Sequence, residues 1–195
     1  MGTKSGNFWI TWANQNAQNS SSIDTLEPIF RINATNFINA LRNAGATVNV
    51  QSTKRDPKRA YLFHWAWRIC FDKTVNLSAI PSMQGVEIDW DHGDKDKNYK
   101  ESIQGAGEMV TGFGLAVPPK STVAPSLTSN HLIGKAIDME ISWNHKIKVK
   151  KPDGKELEVF FPSNPNTNEN LIAVGKSYGV FKLRIDRPHW SYNGR

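Results

Sequence analysis

Cysteine is almost absent: the chain has one, Cys70, in 195 residues. A single thiol excludes an intramolecular disulfide and a cysteine-cluster metal site, and its place in an apolar, helix-like segment marks it as core. Long apolar runs are lacking too. The longest oily stretch, residues 60–71, is broken by His64 and Arg68 and falls short of the roughly 18 to 20 residues that cross a bilayer, so no transmembrane segment is expected. The first 22 residues are polar and Asn-rich, without the basic start, apolar stretch and small-residue cleavage site of a secretory signal. They are expected to form a polar leader, residues 1–22, ahead of one domain at 23–195. Acidic residues are in deficit, 18 against 24 Lys and Arg, for a formal charge of +6. That balance favours anionic partners such as nucleic acid, acidic lipid surfaces or anionic cell-wall polymers. No recognition motif or basic-aromatic stripe supports the first of these, and a nucleic-acid partner is not expected.

What the chain does have suits a folded core: 38% hydrophobic residues with 7 Trp and 9 Phe. Its length fits a single domain better than two, and a monomer is expected. Apolar residues at Leu26, Phe30, Ala34, Phe37, Ile38 and Leu41 have helical spacing, with Ser22 or Asp24 as the cap and Gly45 as the stop. A short strand around Val48 and Val50, a basic turn over 52–59 and a helix over 59–71 come next. Residues 89–97 form a charged loop, 103–113 a helix weakened by Gly105 and Gly107, and Pro118, Pro119 and Pro125 mark an extended loop. From Ala136 the apolar residues Ile137, Met139, Ile141 and Trp143 alternate with Ala136, Asp138, Glu140 and Ser142. This predicts a half-buried strand with Asp138 on its polar face. A hairpin over 146–161 turns at Pro152-Asp153-Gly154, and a helix over 168–178 precedes a strand over 180–185. The expected class is α+β, with early helices packed on a small antiparallel sheet.

The chemistry concentrates in two places. The chain has five His, and two of them, His131 and His189, stand where loops meet strands in dense polar contexts. If Gly134 lets the chain turn after His131, the next strand returns Asp138 beside it. His189 follows Pro188, whose fixed backbone aims the imidazole. Two His and one carboxylate suit zinc, and three protein ligands leave a fourth position open, as catalytic rather than structural zinc sites do. Bound zinc brings the pKa of water to about 7 and polarises carbonyls. A general base is also needed, and Asp186, three residues before His189, is assigned that role; the alternative is an ion pair with Arg184 or Arg187.

These residues carry a resemblance. Ser129, His131, Gly134, Ala136 and Asp138 fit the pattern SxHxxGxAxD at all five fixed positions, and Asp186, His189 and Trp190 resemble a second motif, a carboxylate, two residues, then HW. Together they resemble the zinc D-Ala-D-Ala carboxypeptidase and endopeptidase family, peptidase family M15, which includes VanY-type enzymes and phage endolysins. The similarity spans roughly residues 48–190. It implies the hedgehog/DD-peptidase fold, zinc on His131, Asp138 and His189, and hydrolysis of amide bonds in peptidoglycan stem peptides. Thr53-Lys54-Arg55-Asp56-Pro57 is similar to the family's basic turn, in which an arginine stabilises the oxyanion or binds substrate; Arg55 is the match, and a solvated arginine among Lys54, Lys58 and Arg59 is the alternative. Ser129 either contacts a substrate carboxylate, orients a ligand or supports the turn.

The chain departs from the family in placing Asp186 where many members have glutamate, and in a hairpin longer than a minimal core needs. His64 is expected in the core, His92 in a charged surface loop and His145 at an exposed strand end. The competing function is a zinc-containing binding module without activity, since hedgehog signalling domains share the fold and the metal site. The resemblance also implies action in the periplasm or cell wall, reached by export, delivery or lysis, as an endolysin, an antibacterial toxin or a housekeeping enzyme.

Overall fold

A computed structural model describes residues 2–93, 99–161 and 164–195. Among these, five helices and eight strands follow one another as β1 (Thr3–Lys4), α1 (Asn7–Asn16), α2 (Pro28–Asn43), β2 (Thr47–Ser52), α3 (Pro57–Phe71), β3 (Ile88–Asp89), α4 (Lys100–Gly112), β4 (Ala136–Ser142), β5 (Ile147–Lys150), β6 (Glu156–Val159), α5 (Glu169–Ser177), β7 (Phe181–Lys182) and β8 (His189–Ser191). The protein is α+β, as its pattern predicts. Its contacts gather into two compact units: Asp56–Thr128 with the chain up to Gln18, and Asn19–Arg55 with Ser129–Arg195. Among the described residues no helix is long and apolar enough to cross a membrane.

The first unit holds α1, α3 and α4. Helix α1 lies within the stretch expected to be a polar leader. Its polar residues conceal a stripe, Trp9, Ala13 and Ala17, spaced four apart and all buried. The two glycines of α4 are not simply weak points: a Cβ on Gly105 would stand 2.4 Å from the main-chain oxygen of Ser5, so the close approach of that segment requires glycine there. His92 is half-buried, with Nε2 2.9 Å from Ser5 Oγ; of the charged loop read over 89–97, residues 94–97 lie outside the described residues. Half-buried His64 on α3 places Nδ1 2.8 Å from the Pro125 oxygen. Cys70 is half-buried too, and burial pushes its thiol up to about 11, which suits packing rather than nucleophilic chemistry.

The second unit places α2 against a four-stranded antiparallel sheet of order β2-β4-β8-β7. Helix α2 starts later than the spacing alone suggests, because Pro28 fits the first helical position and would break the interior of a longer helix. Ser22 caps a separate 3₁₀ turn, Ile23–Thr25, and the Glu27 side chain accepts from Phe30 N to cap α2. The buried stripe of α2, Phe30, Ala34, Phe37, Ile38 and Leu41, meets Ile137, Met139 and Ile141 of β4 and Trp190 of β8. Hairpin β5–β6 buries Ile147, Val149 and Val159 in this core, while Lys148 and Lys150 face solvent. His145 is exposed. The strand expected over 180–185 ends at Lys182, and the chain turns before entering β8 at His189.

Sheet register brings the polar residues of these strands together. Asp138 pairs across β4 with Ser52 of β2 on one side and with His189 of β8 on the other, and an irregularity at Gln51 separates the Val50 and Ser52 pairings. Asp138 and His189 are therefore direct cross-strand neighbours, close enough for their side chains to meet on one face.

Candidate metal centre

His131 lies in the 3₁₀ turn Asn130–Ile133, capped by Ser129, whose Oγ accepts from His131 N at 3.3 Å. The turn closes on Gly134 at φ 68°, where a Cβ would stand 2.9 Å from Glu27 N. Glycine supplies both the left-handed backbone and the room. The chain then enters β4 and reaches Asp138 on its polar face, while β8 brings in His189. Three donor atoms converge: His131 Nε2 and Asp138 Oδ1 are 3.2 Å apart, His131 Nε2 and His189 Nδ1 3.2 Å, and His189 Nδ1 and Asp138 Oδ1 3.2 Å. His131 and His189 are buried, and Asp138 is half-buried.

The partners of the other ring nitrogens indicate where the ring protons sit. His131 Nδ1 lies 2.6 Å from the main-chain oxygen of Thr53, and His189 Nε2 lies 3.1 Å from that of Arg195. A main-chain carbonyl or carboxylate oxygen only accepts, so each of these nitrogens carries the proton. In the neutral imidazoles, His131 Nε2 and His189 Nδ1 are then bare lone pairs facing each other and a carboxylate oxygen. Three such acceptors, two buried and one half-buried and with no donor among them, repel unless a cation joins them. Burial works to raise the Asp138 pKa; rings protonated on the facing nitrogens would outweigh it with their hydrogen bonds and charge and hold the carboxyl well below its ordinary range, and a cation between the three atoms would supply the same positive charge.

His131, Asp138 and His189 thus form a group that could hold a metal ion. The spacing suits a small tetrahedral ion: zinc bonds of about 2.0 to 2.1 Å at tetrahedral angles separate neighbouring donors by about 3.3 Å. Both imidazoles already have the carbonyl partner that metal-ligating histidines use to fix tautomer and orientation. No protein-family model and no curated protein matches this chain.

Arg55 and Asp186, also expected at the site, are not members of this group. Arg55, at the end of the segment leaving β2, donates its main-chain N–H to the His131 oxygen at 3.1 Å. Its guanidinium is half-buried, and its Nε has no hydrogen-bond partner. Burial lowers its pKa, while the Asp138 carboxylate works to raise it. It is therefore not a solvated surface arginine but a cation held in the field of the site. Asp186 is exposed on the β7–β8 connection and lies outside the ligand cluster. The ion pairs that offered it another role are taken: Arg184 binds Glu169 through two contacts of 2.5 and 2.7 Å, and Arg187 binds Glu140 at 2.9 Å.

Three groups carry no signal in the sequence. The Thr53 and Arg195 carbonyls that orient the imidazoles belong to the backbone, and no side-chain motif announces them. Lys182 is 8% exposed, although a lone lysine in a short strand reads as a solvated one. Burial drives its ammonium down to about 8, against the support of Asp186 and Asp138.

Proposed function

We propose that this chain is a zinc metallopeptidase of the hedgehog/DD-peptidase fold that hydrolyses amide bonds in peptidoglycan stem peptides, as a D,D-carboxypeptidase or endopeptidase. The observation that carries this reading is the triangle of three bare acceptors at 3.2 Å, with the half-buried Arg55 guanidinium in the field of Asp138. A structural zinc site is closed by four protein ligands, whereas three leave room for water and substrate. When bound, zinc supplies Lewis acidity that polarises a carbonyl and acidifies water. The rest falls to the chain. The Asp186 carboxylate, free of arginine partners, takes the proton of the attacking water and returns it to the leaving amine. The Arg55 guanidinium donates to the oxygen on which negative charge develops, or to a substrate carboxylate. Ser129 holds the His131 turn through its Oγ and has its hydroxyl proton available to substrate. The +6 charge draws the protein to anionic wall polymers.

Digestion of purified peptidoglycan by the wild type, with mass analysis of the fragments, tests the reading. Stem peptides should be shortened or cross-links cut, and removal of the metal with a chelator should stop the reaction until zinc is restored. If every stem peptide stays intact in the presence of zinc, the peptidase reading fails. Arg55→Gln should retain zinc and lose about 100-fold in kcat/KM, the usual consequence of deleting one oxyanion donor; an unchanged value removes Arg55 from the machinery. The position of Asp186 outside the ligand cluster also admits a zinc-containing binding module without activity. Zinc content together with absence of cleavage identifies that case.

A further inference from the structure

We infer that Lys182 is a positioning residue for the metal centre, its buried ammonium fixing the chain that carries both His189 and Asp186. The inference rests on the metal site proposed above and extends it to a residue that touches none of the three donor atoms. Lys182 is the last residue of β7, and its side chain folds over the connection beyond it. Nζ donates to the main-chain oxygens of Leu183 at 2.6 Å, of His189 at 3.0 Å and of Asp186. An ammonium has three N–H donors, and all three are used on carbonyls that begin, divide and end one connection. Among the described residues no carboxylate forms a salt bridge with it, so its partners are backbone dipoles of that turn rather than a counter-ion. The ammonium also stands 5.5 Å from the centre of the Trp190 ring, the residue after His189.

The backbone shows why this matters for the site. Asp186 N donates to Leu183 O, His189 N to Asp186 O and Leu183 N to His189 O, each at 3.2 Å. These are long bonds by the usual standard of about 2.9 to 3.0 Å, and Pro188 supplies no N–H of its own. Within itself the turn is therefore loosely tied; its short ties are the lysine and, across the sheet, the bond from Met139 N to Pro188 O at 2.8 Å. His189 is left with only its side-chain torsions, and the Arg195 oxygen on Nε2 removes that freedom. The His189 Nδ1 donor thus keeps its 3.2 Å separation from Asp138 across the sheet. Loss of the ammonium would widen the range of His189 positions while leaving every ligand atom in the protein.

Cobalt(II) is a suitable probe, since its visible absorption reports both affinity and coordination geometry. Wild type and Lys182→Met, at a temperature where far-UV circular dichroism shows both folded, are titrated with Co²⁺ against a competing chelator. The methionine variant should bind about 10- to 100-fold more weakly, the range found when partners of metal ligands are removed, with an altered visible band; Lys182→Arg should recover only part of the loss, because a planar fork cannot meet three converging carbonyls. Wild-type affinity and spectrum in folded Lys182→Met overturn the inference. If the methionine variant does not fold, amide hydrogen exchange of the metal-free wild type decides: Asp186 and His189 N–H groups should be protected well beyond the exposed Arg184 and Ile185, and equal exchange overturns it. A wild type that binds no Co²⁺ overturns the metal reading itself, and the role of Lys182 with it.

Discussion

For the zinc peptidase proposed above, Asp186→Ala is expected to keep zinc and lose about 10²- to 10⁴-fold in peptide hydrolysis, the span usually contributed by a general base, whereas His131→Ala should lose the zinc itself. The two outcomes differ because of where the side chains lie. His131 is buried and contributes Nε2 to two of the three short donor separations, so its removal leaves one imidazole and one carboxylate, too few to hold zinc against water and buffer. Asp186 contributes no atom to that triangle, and its exposed carboxylate can be deleted without opening a cavity. Zinc content by atomic absorption and fragment masses from digested peptidoglycan read both effects in the same preparations. If Asp186→Ala cleaves at the wild-type rate, proton transfer is handled by another group and the assigned base is wrong. If it loses zinc along with activity, Asp186 acts on the metal rather than on the proton.

Much of the centre is legible from local pattern. Strand β4 alternates so regularly that sequence alone places Asp138 on its polar face, and Gly134 after His131 marks the left-handed residue that the turn requires. Strand β8 is harder. It has three residues, all buried, so it lacks the in-and-out alternation that betrays longer strands, and it comes after a proline. Helix α1 is concealed because Asn14, Gln15 and Asn16 crowd its exposed end, while its fully buried stripe is short, Trp9, Ala13 and Ala17, with Trp12 partly buried beside it. The carbonyls at Thr53 and Arg195 leave no trace in the sequence at all. Every residue has such an oxygen, and only the register of β2 and the fold of the residues after β8 aim these two at ring nitrogens. Lys182 is hidden for the opposite reason: its identity is plain, but lysine is so rarely buried that its environment cannot be guessed.

Trp190→Ala should give the largest loss of stability, about 3 kcal/mol. The indole is fully buried beside His189, with its ring centre 5.2 Å from that of Phe37 on α2. A Cβ on Gly175 of α5 would stand 2.6 Å from the Trp190 ring, so that helix approaches without intervening space. The ring thus fills the junction of α2, α5 and the sheet, and its removal leaves a cavity that backbone on several sides cannot collapse to fill. Aromatic-to-alanine changes of this kind cost about 3 to 5 kcal/mol. One effect acts in the other direction: the indole N–H has no hydrogen-bond partner, and deleting an unsatisfied buried donor returns about 1 kcal/mol or more of desolvation cost. Cavity and transfer losses exceed that relief, which places the net effect near the lower end of the range. Urea unfolding of the zinc-free variant, set against Tyr192→Ala two residues away and 44% exposed, isolates the packing contribution; the tyrosine change should move stability by about 0.5 kcal/mol. Equal effects of the two substitutions would show that the indole does not hold this junction together, and the account of how β8 presents His189 to the proposed metal would fall with it.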